Sequence, residues 1–110
     1  MSVKIMEEEN RTIAVLSGEI DHHSAKELRS EIDYSLREKQ PQELVLDFAG
    51  VGFMDSSGIG LVMGRYKLMQ ELNGKVVVKN PPPHIRKVMR LSGIDRLASI
   101  INIAEGDKSK

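Results

Sequence analysis

An acidic turn bearing two hydroxyl groups runs directly into a helical pattern at residues 53–66, FMDSSGIGLVMGRY. Asp55, Ser56 and Ser57 are residue types preferred at the N-terminus of a helix, because their side-chain oxygens accept hydrogen bonds from the free amides of the first turn. A helix is therefore predicted to begin at this turn. The rest of the chain is interpreted as a scaffold for this strand-to-helix junction.

The helix after the turn has a broad apolar arc and one narrow arc without large apolar groups. The apolar arc predicts that most of the helix is buried, and it consists of Ile59, Leu61, Val62, Met63, Tyr66, Leu68, Met69 and Leu72. The other arc holds Gly60, Gly64, Lys67 and Glu71, with the two serines at its N-terminal end. Because glycine inside a helix costs about 1 kcal/mol relative to alanine, this bare strip needs a reason. Two explanations are open: close approach by a partner, or a neighbouring segment of the same chain that crosses the strip.

The other segments alternate between strand and helix patterns. Strands are predicted at residues 3–6, 12–17, 44–48, 76–78 and 98–103. Ser24 and Glu27 have the form of a capping box, which predicts a helix with Ser24 as its N-cap. The three prolines at 81–83 predict the start of a further helix that ends at Gly93. This order is typical of an α/β fold with a parallel sheet and right-handed crossovers, here preceded by a hairpin.

Composition narrows the class of protein. Lys and Arg number 16, Asp and Glu also number 16, and aromatic residues are only 4%, which argues against a nucleic-acid interface. The chain has no cysteine and therefore no disulfide framework or thiolate metal site. No apolar run approaches the roughly 20 residues that a membrane span needs, and residues 1–5 do not read as a signal peptide. We expect a cytoplasmic protein with one domain at 1–104 and a short charged tail at 105–110.

Two polar loops, residues 18–23 and 50–57, follow predicted parallel strands and should lie together at one edge of the sheet. Asp55, Ser56 and the pair His22-His23 supply an acid, a nucleophile and a base, but the pattern lacks the G-x-S-x-G form of a hydrolase elbow. The histidines are interpreted as solvated loop residues. No catalytic residue, metal site or cofactor is predicted.

A phosphorylation switch fits these residues better than catalysis. A serine hydroxyl on an exposed helix N-terminus can enter a kinase active site, and the helix dipole can accommodate the resulting phosphate without melting the fold. The same phosphate would place about two negative charges in the middle of a docking face. The prediction is a modification that preserves the domain and abolishes a complex.

Three segments together carry a family resemblance: GEIDHHSA at 18–25, FMDSSGIG at 53–60 and GRYK at 64–67. In combination they resemble the STAS-domain anti-sigma factor antagonists, and the Asp-His-His and Gly-Arg-Tyr-Lys forms favour the sporulation branch over the general-stress branch. The resemblance implies a small, mostly parallel mixed sheet with an antiparallel edge strand and helices in a right-handed superhelix. A further C-terminal helix is usual in the family, and residues 101–110 leave little room for it.

The resemblance also implies a mechanism. The unphosphorylated protein binds an anti-sigma factor that is also a serine kinase and so frees a sigma factor; a metal-dependent serine phosphatase reverses the phosphorylation. Ser56 matches the phosphoacceptor, although the neighbouring Ser57 is not distinguished from it by capping chemistry alone. The residues expected to bind the kinase are Asp21, Asp55, Ser57, Gly58, Ile59, Gly60 and Gly64. Two alternatives are a structural STAS module that is not phosphorylated, in a larger signalling assembly, and a serine hydrolase.

Overall fold

Within residues 2–103, five strands lie in the sheet in the same order in which they occur along the chain, β1-β2-β3-β4-β5. The structure is a computed structural model and describes residues 2–103. The strands are β1 (Ser2–Glu7), β2 (Arg11–Ile20), β3 (Glu43–Met54), β4 (Lys75–Lys79) and β5 (Ser99–Ile101). The helices are α1 (His22–Lys39), α2 (Ser56–Glu71) and α3 (Pro83–Leu91), with a 3-10 turn at Ile94–Arg96. No helix within this range is long and apolar enough to cross a membrane.

The sheet is mixed, with one antiparallel pair. β1 pairs antiparallel with β2, and the β2–β3, β3–β4 and β4–β5 pairs are parallel. Each parallel crossover moves one strand further in the same direction, so right-handed crossovers place all three helices on one face. The strand side chains on that face form the core with the helices, among them Ala14, Leu16, Leu46, Phe48 and Val78. The predicted α/β class, the hairpin and the antiparallel edge strand are confirmed.

The face of the sheet opposite the helices is less buried than the face that packs against them. Ile13, Val15 and Val77 alternate with buried neighbours and are only partly buried. The family's additional C-terminal helix would follow β5 in the chain. This helix and the predicted charged tail would both involve residues 104–110, which lie outside the described range.

β3 extends well beyond the predicted 44–48 and carries two extra residues relative to β2. The first irregularity follows the Val15–Asp47 pair, where the Asp47 carboxylate accepts a hydrogen bond from the Ala49 amide at 3.0 Å. After the second, Ile20 pairs with Met54. The residues predicted as a loop before Asp55 are therefore strand, and the bulges bring β2 and β3 to an end at the same level.

The predicted start of α1 at Ser24 is wrong. The N-cap is Asp21, and Ser24 occupies the third helical position of a reciprocal capping box. The Ser24 amide donates to Asp21 Oδ1 at 2.8 Å, and the Asp21 amide donates to Ser24 Oγ at 3.0 Å. His22 and His23 are consequently in the first helical turn rather than in a loop, although both are exposed as expected. The last strand is also shorter than the predicted 98–103.

Candidate functional site

The N-termini of α1 and α2 lie side by side at the C-terminal edge of the parallel strands. β2 ends at Ile20 and β3 ends at Met54, which are paired across the sheet. Each strand is followed by an aspartate that caps the next helix, Asp21 for α1 and Asp55 for α2. The Asp55 amide also donates to the Ile20 carbonyl at 3.1 Å. The predicted proximity of the two polar segments is confirmed.

The turn at the start of α2 places its two serines differently. Asp55 Oδ1 accepts a hydrogen bond from the Ser57 amide at 2.8 Å, so this carboxylate satisfies one of the free first-turn donors. Ser56 is the first helical residue and is exposed, whereas Ser57 is half-buried on the side of α1. Ser56 is thus the more accessible hydroxyl of the pair.

Asp21 has both a structural partner and an exposed carboxylate. The amide of Ser24, and next its hydroxyl, lower the pKa of Asp21 below the ordinary value of 3.8, because both stabilise the ionised form. The side chain remains exposed. Capping α1 therefore leaves Asp21 able to contact a partner.

Two of the predicted docking residues, Gly58 and Ile59, face the protein itself. Gly58 is buried, and a Cβ there would lie 2.5 Å from Met54 Sδ. Ile59 is half-buried against the core. Close packing beneath α2 accounts for glycine at 58 without any partner.

Gly60 and Gly64 are different from Gly58. A Cβ at either position would have no atom of residues 2–103 within 4 Å, apart from its chain neighbours and the backbone of α2. No other described segment therefore crosses the strip at these two glycines. The second explanation for the bare strip is wrong for the described residues. The close approach of a partner stays a prediction.

The two glycines line an open groove between α1 and α2 with a volume of about 400 Å³, called here the α1–α2 groove. Among the described residues its wall contains no acidic side chain. α2 contributes Ser57, Gly60, Leu61, Gly64 and Arg65; α1 contributes His22, Ala25, Lys26 and Arg29. The contribution of α1 was not expected from the sequence, because the helical wheel of α2 gives no information about the helix beside it.

Arg65 is the functional candidate that sequence analysis missed. It is only 5% exposed, and its Nε lies 2.7 Å from Asp33 Oδ1 on α1, off the axis required for a hydrogen bond. Its Nη1 is buried without a hydrogen-bond partner among residues 2–103. Burial lowers the pKa of Arg65, the nearby Arg29 and Arg37 lower it further, and Asp33 opposes them.

A signal for Arg65 was present in the sequence. Leu61, Arg65 and Leu68 fall at positions i, i+4 and i+7 of α2, so the arginine stands in the middle of a buried row. A charge at such a position requires a partner from a neighbouring element. The sequence does not identify that partner, which is Asp33 on α1.

His84 lies apart from the groove. It is in the first turn of α3, exposed, and its Nε2 lies 3.1 Å from the Gly52 carbonyl. This contact joins α3 to the end of β3.

Comparison with known proteins gives consistent results. The STAS domain family model matches residues 3–105. The chain is 33% identical over 102 residues to the anti-sigma F factor antagonist of Paenibacillus polymyxa, covering 91% of this chain and 87% of that protein. It is 34% identical over 100 residues to the anti-sigma F factor antagonist of Lysinibacillus sphaericus, covering 79% and 86%.

The fold matches solved structures of the same kind. The anti-sigma factor antagonist SpoIIAA in its unphosphorylated form superposes with a TM-score of 0.82 at 28% identity, covering 98% of this chain and 93% of that one. The phosphorylated form of the Bacillus cell fate determinant SpoIIAA gives a TM-score of 0.76 at 28% identity, covering 98% and 96%. With the family model spanning nearly the whole sequence and this superposition, the chain belongs to the STAS domain family.

Proposed function

We propose that this protein is an anti-sigma factor antagonist of the sporulation type, controlled by phosphorylation of Ser56. The unphosphorylated chain binds an anti-sigma factor that is also a serine kinase, and a sigma factor is released. The kinase phosphorylates Ser56, and a metal-dependent serine phosphatase restores the binding form. This cycle operates in the cytoplasm. The names of the relatives support the regulatory role, since two of them are anti-sigma F factor antagonists.

The observation that carries the proposal is the position of Ser56. Its exposed side chain stands in the first turn of α2, on the helix whose Gly60 and Gly64 leave a bare strip. A kinase that docks on this strip has the hydroxyl of Ser56 within its footprint. The docking surface and the modified residue would thus be the same edge of the protein, which also includes Asp21 and Asp55.

A phosphate at this position has opposite effects on the fold and on the complex. It would carry about −1.5 to −2 charges at the positive end of the α2 dipole, which favours an anion. Burying the same dianion under a docked partner would cost more than about 3 kcal/mol, or over about a hundredfold in affinity, unless the partner neutralises it. The fold is therefore expected to persist while the complex dissociates.

Accessibility supports Ser56 over Ser57 as the acceptor. Ser57 is half-buried beside α1, and its amide is the one capped by Asp55. The side chain of Ser56 is exposed, so its hydroxyl is the more accessible of the two to a kinase.

The direct test is intact-mass and fragment-ion analysis after incubation with ATP and a sporulation-type anti-sigma factor kinase. The wild type and Ser57→Ala are expected to gain one phosphate, and Ser56→Ala is expected to gain none. Phosphate on Ser57 in the wild type would refute the assignment of the acceptor. An unmodified wild type, with a kinase shown to be active on another antagonist, would refute the switch and favour an unphosphorylated STAS module.

A further inference from the structure

The charged side chains that line the α1–α2 groove are all basic among the described residues. Lys26 and Arg29 from α1 and Arg65 from α2 contribute cationic groups to its wall, and His22 stands at its end near the α2 N-terminus. The nearest acidic partner, Asp33, pairs with Arg65 but does not line the groove. The chain as a whole has no net charge, so this concentration of cations is local.

Arg65 lines the groove, and two nitrogens of its guanidinium, Nε and Nη1, are buried without a hydrogen-bond partner among residues 2–103. Its guanidinium is almost completely buried, its single carboxylate neighbour is poorly aligned, and Nη1 has no partner within residues 2–103. A buried charged donor without an aligned acceptor is unfavourable, and a second carboxylate nearby would relieve it. The same guanidinium also experiences the repulsion of Arg29 and Arg37.

The shape of the groove favours a side chain that arrives on a docked surface. Ala25 and Leu61 contribute apolar side chains to its lining, while Gly60 and Gly64 leave the backbone of α2 open to close approach. These two glycines belong both to the groove and to the proposed docking edge. A partner seated on that edge would therefore cover the groove directly.

We infer that the α1–α2 groove receives a carboxylate side chain of the docked anti-sigma factor, with Lys26, Arg29 and Arg65 as its cationic contacts. This inference rests on the proposed function and specifies the chemistry of the partner: it presents a glutamate or aspartate at this point of the interface. The groove would fix the orientation of the partner relative to Ser56, since it runs along α2 from the same N-terminus.

The first experiment needs no partner. The ¹⁵N-labelled full chain is titrated with N-acetyl-glutamate N-methylamide, with the glutamine analogue, and with inorganic phosphate. The amides of Gly60 and Gly64 and the Nε–H of Arg65 are expected to shift saturably with the glutamate probe and not with the glutamine analogue. The double variant Lys26→Gln/Arg29→Gln should weaken this binding by about tenfold.

Two outcomes of the titration would overturn the inference. One is the absence of saturable shifts at these three groups with the glutamate probe. The other is saturation by phosphate at a lower concentration than by the probe, which would assign the groove to a free phosphate. Lys87→Gln/Arg90→Gln is the matched control, because it removes two exposed cations from α3 and none from the groove.

The second experiment measures affinity for the anti-sigma factor kinase used above. Lys26→Gln/Arg29→Gln is expected to bind at least about tenfold more weakly than the wild type, and the α3 control within about twofold. Equal binding by the wild type and the groove variant would refute the inference and leave the proposed function intact. A wild type that neither binds nor is phosphorylated would refute the proposed function, and the partner-free titration would still decide whether the groove takes a carboxylate.

Discussion

Gly60 and Gly64 have no packing reason to be glycine, which makes them sensitive positions at the scale of single residues. Each is inside α2, and an added Cβ would meet none of the described atoms outside its own helix. Alanine is the better helix former by about 1 kcal/mol. The fold therefore gives up stability at both positions, and we attribute this to the docking surface.

The first prediction follows from this loss of stability at Gly60 and Gly64. Gly60→Ala should raise the free energy of unfolding by about 0.5–1 kcal/mol and at the same time weaken binding of the anti-sigma factor kinase. Urea denaturation and a binding titration on the same preparation measure both effects. Gly58→Ala is the matched control for stability, because its Cβ would collide with Met54 and should lower the free energy of unfolding. Unchanged kinase affinity in Gly60→Ala would show that the strip is not part of the interface.

The second prediction concerns the pH dependence that Asp21 contributes. Its pKa in the folded protein lies below the ordinary value of 3.8, chiefly because the Ser24 amide donates to it. Its stabilising contribution is therefore fully present above the unfolded-state pKa and is lost as the pH falls through the lower, folded-state pKa. Asp21→Asn keeps a capping oxygen but removes the titration, so its urea midpoint should fall less than that of the wild type between about pH 5 and pH 2. Parallel pH profiles of the two proteins would contradict this role.

At the scale of elements, α1 and α2 are joined by one buried ion pair. Arg65 is almost completely buried and the Asp33 side chain is 16% exposed. A buried pair adds little to stability compared with well-packed apolar residues, but removal of one member leaves the other uncompensated. Removal of Asp33 alone is therefore expected to cost far more stability than replacement of both members by apolar residues.

The third prediction tests the pair by a mutant cycle. Asp33→Leu alone should lower the free energy of unfolding by about 3 kcal/mol, because it leaves the buried Arg65 guanidinium without a counter-charge. The double variant Asp33→Leu/Arg65→Met should recover most of this loss. Chemical denaturation of the four proteins gives the coupling free energy. Additive losses would mean that the 2.7 Å contact contributes no interaction of its own.

The start of α2 could be located from the sequence to within one turn, whereas the start of α1 was misread for a specific reason. Asp55, Ser56 and Ser57 are all residue types preferred at a helix N-terminus, and the structure assigns the N-cap to Asp55. Before α1, Asp21 and Ser24 form one capping box while Ser24 and Glu27 have the form of another. The two differ by one turn, and only the reciprocal hydrogen bonds of Asp21 and Ser24 distinguish them.

The features that escaped prediction depend on contacts between elements. The two extra residues of β3 can be recognised only once its register against β2 is known. The groove needs both α1 and α2 in place, and the partner of Arg65 comes from 32 positions earlier in the chain. Local periodicity gave the strands and helices, but it contains no information about which helix faces lie against each other.

At the scale of the whole molecule, phosphorylation should alter surface charge without altering the fold. The fourth prediction is that phosphorylation of Ser56 shifts the Tm by less than about 5 °C, because the phosphate occupies an exposed site at the positive end of the α2 dipole. Calorimetry of the two forms measures this shift. The unphosphorylated protein treated in parallel without ATP is the control. A Tm lowered by more than about 10 °C would mean that loss of the complex reflects partial unfolding and not repulsion at a preserved surface.

The strand order has a consequence for the way the protein is made. Every strand pairs with the one just before it in the sequence, so no pairing has to wait for a distant segment. On the ribosome the sheet can grow at a single advancing edge, one strand at a time, as synthesis proceeds from the N-terminus. The groove, the capped turn and Ser56 are all encoded between residues 20 and 65. The segment that holds the switch is therefore already synthesised before β4, α3 and β5 complete the domain.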